Sequence, residues 1–133
     1  MKIGFTGTQK GMTIRQRIAL KEYLDGREGE FHHGDCIGSD AEAHDIALSL
    51  GFYMVIHPPI NESKRAFRTG HILKRKSYLL RNRGIVDSTD RLLATPNEDY
   101  ERLRSGTWST IRYAKKCGKL VTIIFPDGST ETT

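Results

Sequence analysis

Three short stretches of the sequence combine glycine with hydroxyl-bearing or acidic residues, and each lies between a strand-like run and a helix-like run. They are Gly7-Thr8, the segment from Gly34 to Asp40, and Ser105-Gly106-Thr107. Small residues at the start of a helix leave its first backbone amides open, and the helix dipole favours an anion there. Each stretch could instead be an ordinary helix cap, since Ser and Thr cap helices in most proteins. Taken together, the three stretches predict a site for a phosphate-bearing ligand.

The last of these stretches leads into a helix whose first turn contains the only tryptophan, Trp108. An indole ring at that position could stack on a nucleobase. We therefore predict a ligand site that includes the following residues of the three stretches: Gly7, Thr8, Gly34, Asp35, Gly38, Ser39, Asp40, Ser105, Gly106, Thr107 and Trp108.

Positive charge is concentrated in residues 64–83. This segment holds eight of the 21 Lys and Arg residues and no Asp or Glu, so the rest of the chain has 13 basic and 16 acidic residues and a net charge of −3. A basic segment beside three anion-binding loops favours a phosphate-rich partner, either a nucleotide or a nucleic acid backbone. The alternative is a solvated helix face, which is what most runs of charge turn out to be.

Metal and redox chemistry have little support in the sequence. Cys36 and Cys117 are far apart and lack the spacing of a zinc site or a disulfide framework, and His32-His33 has no partner at metal spacing. Gly4, Gly7 and Gly11 do not follow the spacing of the dinucleotide fingerprint. We expect no metal and no cofactor.

The apolar runs of the chain are short. The longest span four to six residues, against the roughly 20 that a bilayer crossing requires, and the N-terminus lacks a basic-then-apolar signal pattern. The expectation is a soluble, cytoplasmic protein with no membrane partner, and 133 residues fit one domain spanning 1–133.

Strand-like and helix-like patterns alternate along the chain. Strands are predicted at residues 2–6, 30–33, 52–57, 91–95 and 120–125. Helices are predicted at 13–24, 39–50, 72–86 and 105–117, the last with Thr110 and Cys117 on its core face. Residues 60–71 have the composition of a loop and are predicted to form a mobile flap, and a polar tail follows the turn at 126–128.

This alternation predicts an α/β fold, a Rossmann-like doubly wound parallel sheet of about five strands. In such sheets, ligands bind beyond the carboxyl ends of the strands, where the strand order reverses. With the order 3-2-1-4-5 that is typical of the class, the reversal lies between the first and fourth strands. The Gly7-Thr8 loop would then face Ser105-Gly106-Thr107 across the site.

Four groups of residues resemble motifs of the SLOG superfamily of Rossmann-like domains: His33-Gly34-Asp35 through His44, Arg81-Asn82-Arg83-Gly84-Ile85-Val86, Asp90 before a strand, and Ser105-Gly106-Thr107 before a helix. That superfamily includes the Rossmann domain of the DNA-processing protein DprA, the YpsA-like proteins and the Lonely Guy phosphoribohydrolases. The resemblance spans most of the chain. Its strongest part is Arg-Asn-Arg followed by the Ser-Gly-Thr helix start, which is similar to the DprA branch.

The resemblance implies a nucleotide pocket with the phosphate on Ser105-Gly106-Thr107 and on the Gly34-Asp35 loop. It adds Arg81, Asn82 and Arg83 to the predicted site. The phosphoribohydrolases have Pro-Gly-Gly-x-Gly-Thr-x-x-Glu, with a catalytic glutamate, and Thr110 occupies the position of that glutamate here. The additional domains of DprA proteins do not fit in a chain of this length.

The leading expectation is therefore binding of a nucleotide or a nucleotide-derived small molecule, with enzymatic turnover left open. One alternative is a DprA-like module for single-stranded nucleic acid that uses residues 64–83. Another is a nucleoside monophosphate N-glycosidic hydrolase, for which Asp35, Asp40 and Asp90 are the candidate carboxylates. The identity of the base and the presence of a homo-oligomer are left open.

Overall fold

The computed structural model describes all residues from Met1 to Thr133. It contains seven β-strands, four α-helices and one turn of 3₁₀ helix. The strands are β1 (Lys2–Gly7), β2 (Glu30–His33), β3 (Tyr53–Ile56), β4 (His71–Ile72), β5 (Arg91–Thr95), β6 (Leu120–Ile124) and β7 (Thr130–Thr132). The helices are α1 (Ile14–Leu24), α2 (Ser39–Ser49), α3 (Tyr78–Asp87) and α4 (Gly106–Lys116), and the 3₁₀ turn spans Glu62–Lys64.

All seven strands belong to one sheet with the order β4-β3-β2-β1-β5-β6-β7. The pairings among the first six strands in this order are parallel, and only β7 runs antiparallel, against β6. The predicted fold class, a mostly parallel Rossmann-like α/β sheet, is confirmed. The five predicted strands correspond to β1, β2, β3, β5 and β6, and their spatial order is the 3-2-1-4-5 order expected of the class.

Each face of the sheet is covered by one pair of helices. On one face, Leu20 and Leu24 of α1 and Ala43 and Ala47 of α2 pack with Phe31 and other strand residues. On the other face, α3 and α4 pack on β5 and β6 through a second group, Ile85, Val86, Ile111, Ala114 and Val121 among them. Apolar burial on both faces is the main term that stabilises such a sheet. None of the four helices has the length and apolarity that a bilayer crossing requires.

The segment before α3 differs from the prediction. Residues 72–77 are not helical: His71 and Ile72 form β4, which pairs with Val55 and Ile56, and α3 begins only at Tyr78. The backbone of Lys76 then bonds with Ile60 and Pro58 rather than with a helical turn. Pairing with an open sheet edge therefore overrides the helical periodicity of this stretch.

The polar tail also contains a strand that the sequence analysis did not predict. Thr130 lies opposite Ile124, and the hydroxyls of Thr122 and Thr132 are 3.0 Å apart. The turn at 126–128, which was predicted, makes this antiparallel return possible. Because all three residues of β7 are exposed, no apolar pattern marked it as a strand.

Candidate functional site

A crevice of about 430 Å³ opens at the carboxyl ends of β1 and β5, where the strand order reverses. Four parts of the chain surround it: the β1–α1 loop, the β2–α2 loop with the first turn of α2, the first two turns of α3, and the connector from β5 into α4. Its lining residues are Phe5, Thr6, Gly7, Thr8, Gln9, Lys10, Gly34, Cys36, Asp40, Tyr78, Arg81, Asn82, Ile85, Asn97, Glu98, Ser105, Gly106 and Thr107.

The fold brings most of the predicted site residues to this one place. Nine of the fourteen line the crevice: Gly7, Thr8, Gly34, Asp40, Arg81, Asn82, Ser105, Gly106 and Thr107. The other five do not: Asp35, Gly38, Ser39, Arg83 and Trp108. The Gly7-Thr8 loop and the Ser105-Gly106-Thr107 stretch meet across the crevice as the predicted strand order requires.

The N-terminus of α4 presents open backbone donors to the crevice. Ser105 is the N-cap, and its Oγ accepts a hydrogen bond from the Trp108 amide at 3.2 Å. The amides of Gly106 and Thr107 have no acceptor in the protein. Space is open around the Cα of Gly106, where a Cβ would meet no atom within 4 Å. Two free amides on a positive helix end can bind one anionic oxygen group.

Arg81 is a buried cation on the wall of the crevice. Its side chain belongs to a residue that is only 6% exposed, and its guanidinium donates to the carbonyls of Gly34 and His57 and to Asn82 Oδ1. No carboxylate lies within 4.0 Å of it. A Cβ on Gly34 would overlap the guanidinium, so a larger residue after β2 would displace the Arg81 side chain from this position. A buried positive charge without an anionic partner favours the binding of an anion beside it.

Asp40, in the first turn of α2, is the buried carboxylate of the crevice. The residue is 6% exposed, and its Oδ2 accepts a hydrogen bond from the Cys36 amide at 3.1 Å. Burial raises the pKa of Asp40 to about 6, although Arg81 and the nearby amides lower it. Burial and the neighbouring Asp40 also raise the pKa of the Cys36 thiol. No Lys or Arg lies within 4.0 Å of the Asp40 carboxylate.

Asp35 does not reach the crevice. Its carboxylate is fully buried, accepts from Arg65 Nε at 2.8 Å and from the Arg68 amide at 2.9 Å, and its own backbone has a φ of 58°. The Asp35 carbonyl also accepts from the Ala66 amide at 2.7 Å. Asp35 therefore anchors residues 65–68 to the β2–α2 loop. Its assignment to the ligand site was wrong because a buried ion pair uses the carboxylate.

Gly38 and Ser39 hold the β1–α1 loop in position without lining the crevice. Ser39 Oγ donates to the Thr8 carbonyl at 2.7 Å, and the Ser39 amide donates to the same oxygen at 3.1 Å. Gly38 has a φ of 85°, and a Cβ there would collide with the carbonyl of Gln9. Both residues hold the loop after β1 against α2, so they support the crevice wall without lining it.

Trp108 is also not available to a ligand. The residue is 5% exposed, packs among the residues between α3, α4 and the sheet, and donates from its indole Nε1 to Glu98 Oε1 at 3.0 Å. The predicted stacking on a base is therefore wrong. Trp108 lies on the core face of α4, whereas Cys117, which is predicted on that face, is exposed.

Glu98 is a crevice residue that the sequence analysis did not single out. Besides the indole of Trp108, it accepts from Arg102 at 3.1 Å. Gln9, Lys10, Tyr78 and Asn97 were missed as well. Their positions next to predicted motifs were the only available signal, because each is a common surface residue type.

Arg83 points away from the crevice. It lines a separate groove between α3 and α4, where its guanidinium lies 5.3 Å from the centre of the Tyr113 ring. Successive residues of an α-helix are rotated by about 100°, so two residues that are two positions apart, such as Arg81 and Arg83, face nearly opposite sides of α3. Arg81 and Arg83 therefore cannot share one anion, and the assignment of Arg83 to the site was wrong.

The basic segment 64–83 is less open than its composition indicates. Arg65 pairs with Asp35, Arg68 with Asp45 and Arg75 with Glu62. Arg81 is buried in the crevice wall. The exposed basic side chains of the segment without an acidic partner are Lys64, Lys74, Lys76 and Arg83, the last of them against the Tyr113 ring. This leaves four unpaired surface cations instead of eight.

Two further residues, Thr110 and Asp90, bear on the predicted hydrolase alternative. Thr110 is buried and donates to the Gly106 carbonyl at 2.8 Å, as its place on the core face predicted. Asp90 precedes β5 and accepts from the Lys2 amide at the opposite end of the sheet, so it cannot serve the crevice. Of the three candidate carboxylates, only Asp40 remains there, and Glu98 joins it.

Four buried histidines lie beside the crevice in two pairs. His32 Nδ1 and His57 Nε2 are 2.8 Å apart, and His33 Nε2 and His44 Nδ1 are 2.9 Å apart. Burial lowers the pKa of all four, that of His57 to about 4, so they are neutral near pH 7. No group of three or more His, Cys, Asp or Glu side chains has an arrangement that could hold a metal ion.

The sheet order and the crevice at its reversal point define the chain as a Rossmann-like α/β protein. Comparisons of the chain with protein-family models, curated proteins and solved structures found no match. The resemblance to the SLOG superfamily therefore stays a prediction, and the function has to be inferred from the crevice itself.

Proposed function

We propose that this chain binds a nucleotide or a nucleotide-derived ligand in the crevice between β1 and β5. The observation that carries the proposal is the combination of two free amides, on Gly106 and Thr107, with the buried and unpaired guanidinium of Arg81 in one cavity. Helix amides and an arginine are the donors that proteins use most often for phosphate.

The remaining features of the crevice fit the rest of a nucleotide. Pockets for small ligands have volumes of roughly 300–1,000 Å³, and this cavity of about 430 Å³ falls in that range. Tyr78 offers an aromatic ring on one wall, and Gln9, Asn82 and Asn97 offer amides that can bond with the edge of a base. Lys10 supplies a second, flexible cation at the rim.

Filling the space beside the free amides tests the proposal. The Gly106→Val variant should fold, since a Cβ at that position meets no atom, but its side chain should occupy the anion position. Purified protein is heated with AMP, GMP, CMP, UMP and their di- and triphosphates. A ligand at 100 times its dissociation constant should add about 2.7 kcal/mol to native-state stability.

We expect at least one nucleotide to raise the midpoint of thermal unfolding of the unmodified chain, and Gly106→Val to lose that shift. The matched control is Ser109→Val, an exposed position one turn further along α4 and outside the crevice. A nucleotide-dependent shift that Gly106→Val retains would place the ligand elsewhere. A screen without any shift would argue against nucleotide binding altogether.

A second function, hydrolysis of a nucleoside monophosphate at its N-glycosidic bond, is favoured by Asp40 and Glu98. Cleavage develops positive charge on the sugar, which a nearby carboxylate stabilises. Thr110 cannot replace the glutamate of the phosphoribohydrolases, because its hydroxyl is neutral and bonded to the Gly106 carbonyl. Release of free base from AMP, GMP, CMP or UMP, followed by chromatography and abolished by Asp40→Asn, would support hydrolysis.

Binding of single-stranded nucleic acid has weaker support, because ion pairs already neutralise Arg65, Arg68 and Arg75. Each phosphate contact contributes a slope of about −0.7 to the dependence of log affinity on log salt for single strands. A slope near −3 would fit the four unpaired cations, whereas a slope beyond −5 would favour this alternative over nucleotide binding.

A further inference from the structure

Two opposite charges are buried in the same crevice without being paired. Arg81 and Asp40 are each 6% exposed, both line the cavity, and neither has an oppositely charged group within 4.0 Å. A phosphate explains Arg81 and the free amides of α4. It does not explain Asp40, since a carboxylate repels a phosphate. The carboxylate requires a hydrogen-bond donor from the ligand.

Asp40 has acceptor capacity to spare. An ionised carboxylate offers about four acceptor sites, and the hydrogen bonds that it accepts from the backbone of Cys36 and Gly34 use two of them. The side chain is not used as an N-cap, because the α2 cap is Gly38, without a side-chain hydrogen bond. Asp40 thus holds the β2–α2 loop with part of its acceptor capacity and keeps about two sites for a ligand.

The position of Asp40 indicates which part of the ligand it meets. Cys36 connects the two charges: its amide bonds with Asp40, and its Sγ lies 3.6 Å from Arg81 Nη2. The Asp40 carboxylate and the Arg81 guanidinium therefore both contact Cys36, one through its amide and the other through its Sγ. In a 5′-nucleotide the sugar follows the phosphate directly, and the base lies further away. The donors closest to a phosphate at this end of the crevice are the ribose hydroxyls.

We propose that Asp40 accepts hydrogen bonds from the 2′- and 3′-hydroxyls of a ribose, so that the crevice selects free ribonucleotides. The inference rests on the proposed function and narrows its ligand class. A carboxylate is the group that pairs with ribose hydroxyls in dinucleotide-binding sheets. Deoxyribonucleotides lack one of the two donors. An internal residue of a nucleic acid strand lacks the 3′-hydroxyl proton, because its oxygen is esterified.

Titration calorimetry on the full chain tests this inference. The tightest binder among AMP, GMP, CMP and UMP is compared with its 2′-deoxy and 3′-deoxy forms at pH 7.5, first on the unmodified chain and then on Asp40→Asn. The matched control is Asp45→Asn, an exposed carboxylate on the same helix that pairs with Arg68. Thermal unfolding of each variant, without ligand, reports whether it folds.

We expect the unmodified chain and Asp45→Asn to bind the ribonucleotide about ten-fold or more tightly than either deoxy form, as loss of a hydrogen bond to a charged group predicts. Asp40→Asn should bind the three forms within about three-fold of one another. If Asp40→Asn does not fold, the unmodified chain still decides whether the crevice selects a ribose, and Asp40→Glu, which keeps the charge but moves it, then tests the role of Asp40 by the same comparison.

Equal affinity of the unmodified chain for ribo and deoxy forms would overturn the ribose assignment while leaving nucleotide binding intact. A ribose preference that survives in folded Asp40→Asn would overturn the role of this residue. If only di- or triphosphates bind, the same comparison is made with their 2′-deoxy and 3′-deoxy forms, and absence of all binding would refute the proposed function itself.

Discussion

Asp35 in the β2–α2 loop and Asp40 in the first turn of α2 are five residues apart, yet they have different tasks. Asp35 forms a buried ion pair with Arg65 and accepts a backbone hydrogen bond, so its charge is compensated within the protein. Asp40 faces the crevice without a cation in contact. The first residue contributes to stability, whereas the second is available to a ligand.

Asp35→Asn should therefore destabilise the fold. Asparagine has the same shape and tolerates the left-handed backbone of this position, so the change removes only the charge. Arg65 would then keep only Glu62, 3.7 Å away, as a carboxylate partner, and the loss of its close pair with Asp35 should cost about 2 kcal/mol of unfolding free energy. Urea denaturation measures it, with Asp45→Asn as the control, since the exposed Asp45–Arg68 pair should contribute less than about 1 kcal/mol. Equal effects of the two substitutions would contradict the assignment.

At the scale of elements, the crevice depends on how the β1–α1 loop rests on the start of α2. The Thr8 carbonyl receives two hydrogen bonds from Ser39, and Glu42 Oε1 accepts from the Met12 amide at 2.7 Å. Gly38 permits this contact because its backbone passes directly against Gln9. The position of the β1–α1 loop thus depends on these hydrogen bonds and on the close contact between Gly38 and the Gln9 backbone.

Gly38→Ala tests this contact. Its φ of 85° and the collision with the Gln9 carbonyl should both destabilise the variant and displace the loop. Gly26→Ala is the matched control, because Gly26 has a similar φ of 79° but open space around it. We expect about 1–2 kcal/mol for Gly26→Ala from the backbone conformation alone and a larger loss for Gly38→Ala, measured by urea denaturation. Similar losses would show that the close approach does not matter.

The elements that the sequence predicted are those whose pattern is local. Thr13 caps α1 with a complete capping box to Gln16, and the apolar runs of β1, β5 and β6 form the centre of the sheet. β4 and β7 could not be predicted, because both are short edge strands that depend on neighbours distant in sequence. In the crevice, the three glycine-containing stretches and the Arg81-Asn82 motif supplied nine of the eighteen lining residues. The sides on which Arg83 and Trp108 lie depend on how α3 and α4 are rotated about their axes. Tertiary packing sets that rotation, so the sequence pattern alone did not predict it.

For the molecule as a whole, acid stability depends on five buried groups that work in opposite directions. His32, His33, His44 and His57 have pKa values lowered by burial, so the unfolded chain takes up their protons first as the pH falls below about 6.5. Asp40 has a pKa raised from 3.8 to about 6, so the folded chain takes up its proton first. Protonation of Asp40 therefore favours the folded state between about pH 6 and 3.8.

The balance predicts a net loss of stability in acid. The shifts of His57, from 6.5 to about 4, and of Asp40 are similar in size and nearly cancel, so the other three histidines decide the sign. Unfolding free energy, measured in urea, should be level between about pH 7 and 8 and fall from about pH 6.5 to 4; the raised pKa of the Cys36 thiol adds a second loss above its ordinary value of 9.0. Asp40→Asn should steepen this fall, because it removes the opposing group, and His57→Gln should flatten it. A free energy of unfolding that rises as the pH falls from 6.5 to 5 in the unmodified chain would contradict this balance, because the protonation of Asp40 would then outweigh the effect of the buried histidines.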